Sequence, residues 1–299
     1  MMNVSSKQGL TAAIALALML TVEARATEGG GSNYPMGAEN YLMGALPPPG
    51  VYPLIYANRY AADDLMDDSG DSLPIDFRLR ANVVAPRLVW VTDKTILGGQ
   101  LFHAALLPLV DLDVSVNGMA DSNQGIGDLD LTAFALAYHH SPNFHSVVGM
   151  DIFVPTGEYD AGEMANIGRN YWGIQAAYAA SWVNPTGWNA DIKVMYDYNF
   201  ENDDTDYQSG QELHFDYSLG YGVSPHWVAG VGGYAYKQTT PDKVNGVDIG
   251  NEGQAFAIGP SIKYDNGQGF FLSLKYQKEF AVENRPEGDA FWIKTIIPF

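Results

Sequence analysis

The chain has 299 residues, with 16 Lys and Arg against 35 Asp and Glu, a formal net charge of −19 and no cysteine. So acidic a surface repels nucleic acid, and the lack of thiols excludes a disulfide scaffold. Beyond residue 26 no apolar run reaches the roughly 18 residues of a spanning helix, which excludes a helical membrane protein.

At the N-terminus Lys7 precedes an apolar run from Leu10 to Val22 and the small-residue site Ala24-Arg25-Ala26. A basic start, a short apolar core and an A-x-A site predict a secretory signal peptide over residues 1–26, cut after Ala26. Loss of Lys7, Glu23 and Arg25 with it takes the mature chain to −20. Residues 27–50 show neither helical nor strand period and end on the break Pro47-Pro48-Pro49-Gly50. Two readings stand for them: a loose periplasmic tail, or a plug. In the second, Tyr34, Met36, Tyr41, Leu42 and Met43 fold back inside, because five large apolar groups left in water are unfavourable.

From Val51 to Phe299 the chain alternates between two kinds of connection. Short ones fall at Thr92-Asp93-Lys94, Ser141-Pro142-Asn143, Asn184 to Gly187, Ser224-Pro225-His226 and Asp265-Asn266-Gly267. Longer polar ones run over Asp67 to Ser72, Asn117 to Gly127, Thr156 to Asn170, Glu201 to Gly210, Thr240 to Glu252 and Glu283 to Gly288. Short turns on one side and long loops on the other predict an all-β fold, a transmembrane antiparallel β-barrel of about twelve strands, with the turns periplasmic and the loops extracellular. A four-stranded-blade propeller is the rival for such spacing, but no blade signature repeats.

The alternation of side chains decides the solvent. Leu213, Phe215, Tyr217, Leu219 and Tyr221 oppose Glu212, His214, Asp216 and Ser218; Ile192, Val194, Tyr196 and Tyr198 oppose Asp191, Lys193 and Asp197. Strands this polar on one face do not line the inside of a soluble sandwich; they fit lipid outside and a wet or salt-bridged lumen inside. By the same alternation Arg78 and Arg80 point inward against Ile75, Phe77 and Leu79. The full inward set is then Arg78, Arg80, Asp128, Asp130, Asp191, Lys193, Asp197, Glu212, His214, Asp216, Lys263, Lys275 and Lys294. Ile96 to Asp113 and Trp227 to Gln238 alternate poorly, and Trp172 and Trp182 fall at the two ends of one strand, where interfacial girdles lie. At the C-terminus Phe291, Ile293, Ile297 and Phe299 share one face of a last strand. An aromatic final residue on such a strand resembles the signal read by the barrel-assembly machinery of bacterial outer membranes.

Several stretches are similar to one family: GIGDLDL (125–131), VPTGEYD (154–160), NIGRNYW (166–172), YQSGQELHFDYSLGYG (207–222), VGGYAYKQ (231–238) and GAENYLMGALPPPGVY (37–52). Together they resemble the outer-membrane proteins of the meta-pathway phenol degradation family, over nearly all of the mature chain. The resemblance implies a barrel in the outer membrane of a Gram-negative bacterium, associated with catabolism of aromatic or other hydrophobic compounds and with their uptake. It brings no catalytic residues.

His214, flanked by Glu212 and Asp216, is the best constellation for chemistry, but no marked Ser or Thr nucleophile accompanies it, so it reads as part of a polar ladder. No catalytic residue, metal set or cofactor is assigned. The acidic clusters Asp63, Asp64, Asp67, Asp68, Asp71 and Asp203, Asp204, Asp206 lack calcium-loop spacing and read as solvated loop charge. The function expected is passive movement of a small, aromatic or hydrophobic solute through a monomeric barrel in contact with membrane lipid and lipopolysaccharide. The alternatives are an adhesive barrel that binds lipopolysaccharide or other partners through its acidic loops, and a lipid-modifying barrel enzyme.

Overall fold

The structure, a computed structural model, describes residues 27–296. The signal-peptide reading over 1–26, and Ile297 and Phe299 of the terminal signal, lie outside the described residues. The strands in chain order are β1 (Gly50–Leu65), β2 (Phe77–Ile96), β3 (Gly99–Leu106), β4 (Leu109–Val116), β5 (Met119–Ile126), β6 (Leu129–His139), β7 (Phe144–Val154), β8 (Gly173–Trp182) and β9 (Trp188–Asn199). They continue as β10 (Glu201–Asn202), β11 (Tyr207–Gln208), β12 (Glu212–Ser224), β13 (Trp227–Gln238), β14 (Asp242–Val244), β15 (Val247–Gly250), β16 (Gln254–Asp265), β17 (Phe271–Glu283) and β18 (Pro286–Ile296). Twelve of them, in the order β1-β18-β17-β16-β13-β12-β9-β8-β7-β6-β3-β2, form an antiparallel ring that β1 closes by pairing with β2. The four short strands β10, β11, β14 and β15 make a small separate sheet at the loop end.

The outward faces carry the apolar side chains that lipid requires. On β9 Trp188, Ala190, Ile192, Tyr196 and Tyr198 are exposed while Asn189, Asp191, Lys193, Met195, Asp197 and Asn199 are buried, and β12 and β17 repeat the pattern. Trp90, Trp182, Trp188 and Trp227 stand exposed toward the turn end, and Trp172 with Phe200 toward the loop end. Ten residues separate Trp172 from Trp182. At about 3.3 Å per residue and a tilt near 45° this is a band of roughly 23 Å, the height of an outer-membrane hydrocarbon layer.

Arg78 and Arg80 correct the expected facing. Phe77 is buried inside with Val114, Val116 and Ala165, while Arg78 is exposed and Arg80 donates to Asp63 at 2.6 Å on the outer face. Farther down β2 the same outer face reads Val84, Pro86, Leu88 and Trp90, all exposed. The polarity inverts along one strand because β2 has twenty residues and its upper part rises past the lipid band, where water, not hydrocarbon, meets the outer face.

Three connections also differ from expectation. Thr92-Asp93-Lys94 stays within β2 as an irregularity in its pairing with β3, and the turn falls at Leu97-Gly98. Asn117 to Gly127 is a hairpin strand, not a loop: Asn117 and Gly118, both at positive φ (52° and 82°), make the tight turn, and β4–β5 extends the sheet above β3 and β6. Pro108 ends the ladder of what the sequence presents as one strand from Ile96 to Asp113. Glu283 to Gly288 is short, since β17 and β18 are joined by Asn284 and Arg285 alone.

Candidate functional site

Residues 27–49 form no strand and run inside the ring from the loop end to the turn end, where β1 begins. At the top the Thr27 amide donates to Asp242 Oδ2 at 3.0 Å, and Asp242 also accepts from Tyr207, Gly210 and Gln238. Glu28 accepts from Tyr159, Asn202 and Thr205, which ties the start of the segment to two loops. Lower down, Asp216 on β12 accepts from the Tyr34 hydroxyl (2.7 Å) and from the amides of Gly37 (2.9 Å) and Glu39 (2.8 Å). Lys275 on β17 donates to the carbonyls of Gly37 and Glu39. A buried lysine and a buried aspartate thus grip opposite polarities of the same stretch of backbone.

Glu39 is the centre of the interior. One oxygen accepts from Lys294 Nζ at 2.5 Å; the other accepts from Arg87 at 3.2 Å and from the Tyr56 hydroxyl at 3.0 Å. Below it Tyr41, 1% exposed, reaches Ser261 at 2.9 Å and lies on Gly220, where an added Cβ would come within 2.6 Å of the Tyr41 hydroxyl. Asp191, bonded to Ser181 and Ser218, accepts from the Met43 amide, and Ser181 accepts from the Gly44 amide.

Of the thirteen expected lumen residues, Asp130, Asp191, Lys193, Asp197, Glu212, His214, Asp216, Lys263, Lys275 and Lys294 face inward. Asp128 instead anchors the loop after β7, accepting from the amides of Gly157 and Arg169. Of the apolar residues expected in a plug, Tyr34 and Tyr41 are buried, and Met36, Leu42 and Met43 are half-buried. His214 pairs with Asp197 across the ladder at 3.0 Å, not with either flanking acid. The acidic loop clusters mostly organise their own turns: Asp67 accepts from the amides of Ser69 and Asp71, and Asp204 from Asn170.

The inner wall has two sectors. The charged groups sit chiefly on β9, β12, β16, β17 and β18, against the N-terminal segment. The inner faces of β1 to β6 are mainly apolar: Ala62, Leu65, Phe77, Val114 and Val116 cluster at the loop end, and Leu54, Tyr56, Val89, Val91, Phe102, Ala135 and Ala137 toward the turns. Ala165, fully buried, roofs the upper cluster, held down by Asp121, whose Oδ2 accepts from the amides of Met164 (2.8 Å) and Ala165 (2.9 Å). The Ala165 amide above all, with those of Met164 and Ser122, holds the Asp121 carboxyl below its ordinary value. A value lower in the fold than in the unfolded chain means that the clamp acts above the ordinary Asp range and is lost as pH falls through the lowered value. Hydrogen exchange at Met164 and Ala165, corrected for its intrinsic pH dependence, is therefore expected to rise below that range, and Asp121→Asn to show the faster exchange already at neutral pH.

A family model described as "Putative MetA-pathway of phenol degradation" matches residues 62–295. The chain belongs to that family. No curated protein matches it in sequence. Among solved structures, this phenol-degradation family barrel is similar to an outer membrane channel from Pseudomonas putida F1, with 20% identity, 87% of this chain and 99% of that one covered, and a TM-score of 0.75. It is also similar to the translocator domain of the autotransporter NalP from Neisseria meningitidis (11% identity, 85% and 90% covered, TM-score 0.52). A third similar structure is the beta domain of the Bordetella autotransporter BrkA (10% identity, 83% and 99% covered, TM-score 0.50). At these identities the likeness is one of fold, and the fold is the closed barrel of the outer membrane.

Sequence reasoning missed Glu39, Arg87, Asp151, Gln175, Glu279 and Arg285, all of which bear on the interior of this family member. Arg87 follows Pro86 in an otherwise apolar stretch, and Glu39 sits in a segment without period, so neither carries a facing signal. Glu279 does: it lies two residues beyond Gln277 on the polar face of β17.

Proposed function

We propose that the protein is an outer-membrane channel that lets a small hydrophobic solute, of the aromatic class, cross passively along the apolar sector of its wall. The observation that carries this is the division of the interior: the N-terminal segment occupies the charged sector, and the buried face left on β1 to β6 is mainly apolar, with Arg87 and Asp130 the charged groups on it. In this reading a segment seated on the charged groups denies ions and sugars a wet bore, whereas an aromatic molecule gains by leaving water for an apolar wall. The family description points to aromatic catabolism, and the similar Pseudomonas putida barrel is called a channel. In this reading the long loops face the medium, the short turns face the periplasm, export follows the signal peptide, and the outer girdles contact membrane lipid and lipopolysaccharide. The barrel acts as a monomer without an energy source or catalytic group of its own.

The test is uptake of radiolabelled toluene or phenol by cells lacking the protein and complemented with wild type or with Phe77→Asp/Val116→Asp. The double variant is expected to cut uptake roughly tenfold, since each buried carboxylate makes the apolar wall a costly place for an aromatic ring. Its barrel state is verified by the heat-shifted mobility of folded barrels in detergent gels. Undiminished uptake by a correctly folded variant rejects the apolar route.

A further inference from the structure

Asp197, Glu212, His214 and Gln175 are each 0% exposed and lie together between the wall and the N-terminal segment. Gln175, Asp197 and Glu212 stand side by side across β8, β9 and β12, because Gln175 is in register with Asp197 and Asp197 with Glu212. Two carboxylates directly opposite one another in a ladder repel, and in a buried site that repulsion is weakly screened. Among the described residues neither makes an ion pair with Lys or Arg; the only charged partner in contact is His214, whose Nε2 is 3.0 Å from Asp197 Oδ2. The same four side chains also carry buried polar atoms without a partner: Asp197 Oδ1, Glu212 Oε2, His214 Nδ1 and both amide atoms of Gln175. Five such atoms in one buried place call for a ligand.

We infer that this cluster is a binding site for a divalent transition-metal cation of the zinc class. One ligand atom each from Asp197, Glu212 and His214 lies within 4.8 Å of the other two. Ligands at about 2.0 Å from a tetrahedral zinc stand about 3.3 Å apart, so the Nε2–Oδ2 pair already has nearly the required spacing. One imidazole and two carboxylates is a donor set that suits zinc better than calcium, which takes six or more oxygens. The Gln175 carboxamide, next in the row, is placed to fill the fourth position or to hold a water there. The site is roofed by the N-terminal segment: Ser32 Oγ donates to Glu212 Oε1 at 3.0 Å, and the Tyr34 ring lies 5.1 Å from the His214 ring. A cation there fixes the two side chains on which Ser32 and Tyr34 rest, and so couples metal binding to the seating of the segment.

The experiment refolds the full mature chain in detergent after chelator treatment, with zinc chloride or calcium chloride alone, and measures bound metal by mass spectrometry and melting temperature by circular dichroism. The expected result is one zinc per chain and a higher melting temperature with zinc, no retention of calcium, and at least a tenfold loss of zinc affinity in both His214→Gln and Asp197→Asn. Because metal is present during folding, access past the segment is not limiting. A wild-type chain that refolds to the heat-shifted barrel in the presence of zinc but retains none, or variants that hold zinc as tightly as wild type, overturns the site. Retention of calcium in place of zinc overturns its assignment to a transition metal. Solute uptake is not a readout here, so the outcome is independent of the channel proposal.

Discussion

Deletion of residues 27–49 is expected to turn a nearly silent barrel into an ion-conducting one. In planar bilayers the wild type should pass little current, because the segment is seated on the charged side of the ring from Asp242 at the loop end to Ser181 near the turns. Without it, Asp191, Glu212, Asp216, Lys275 and Lys294 lose partners and take up water, and a wet bore of mixed charge conducts. The expected rise is roughly tenfold or more over the wild-type leak, with mild cation preference from the acidic interior. An equally silent deletion variant with the heat-shifted mobility of a closed barrel would mean that the bore is shut by its wall. The segment would then have no gating role.

The second large effect is expected at Glu39. Replacing it by Ala leaves Lys294 and Arg87, both inside the ring, without their shared carboxylate. Breaking a buried ion pair from one side costs about 3–5 kcal/mol, and here two cations are stranded at once. The segment has a cheaper response than global unfolding: it leaves, and water enters to solvate the cations. Glu39→Ala is therefore expected to conduct intermittently, between wild type and the deletion, with protease cleavage near Tyr34 to Met43 where the wild type resists. Glu39→Gln, which keeps the hydrogen-bonding shape but not the charge, should fall between wild type and Glu39→Ala. If Glu39→Ala remains silent and protected, the grip lies in Asp216 and Lys275 instead.

The barrel was legible in the sequence because a membrane forces the outer face of each strand to be apolar, and the period of two exposes this at β9, β12, β17 and β18. The same rule misled at Arg78 and Arg80, since a strand that rises into water obeys the opposite polarity and nothing local in the sequence marks the crossing. Asn117-Gly118 was the strongest hairpin signal in its region, yet the polar run after it, Asp121 to Gln124, reads as loop because both faces of β5 lie beyond the lipid. For the interior, the polar faces of the strands gave the acids and lysines, but not their pairing. Which carboxylate meets which cation depends on the register around the ring and on where an irregular segment lies, and Glu39, the group at the centre, has no periodic neighbours to reveal it.

The path of residues 27–49 bears on how the molecule is assembled. A strap that enters a hoop at one rim and leaves at the other cannot be slid in sideways once the seam between β1 and β18 is zipped. Late insertion would mean feeding the segment lengthwise past its own anchoring groups, Glu39 moving through positions meant for Tyr34 and Tyr41. The strap must therefore be laid along the growing sheet before closure, so residues 27–49 act as an internal former around which the last strand is sewn.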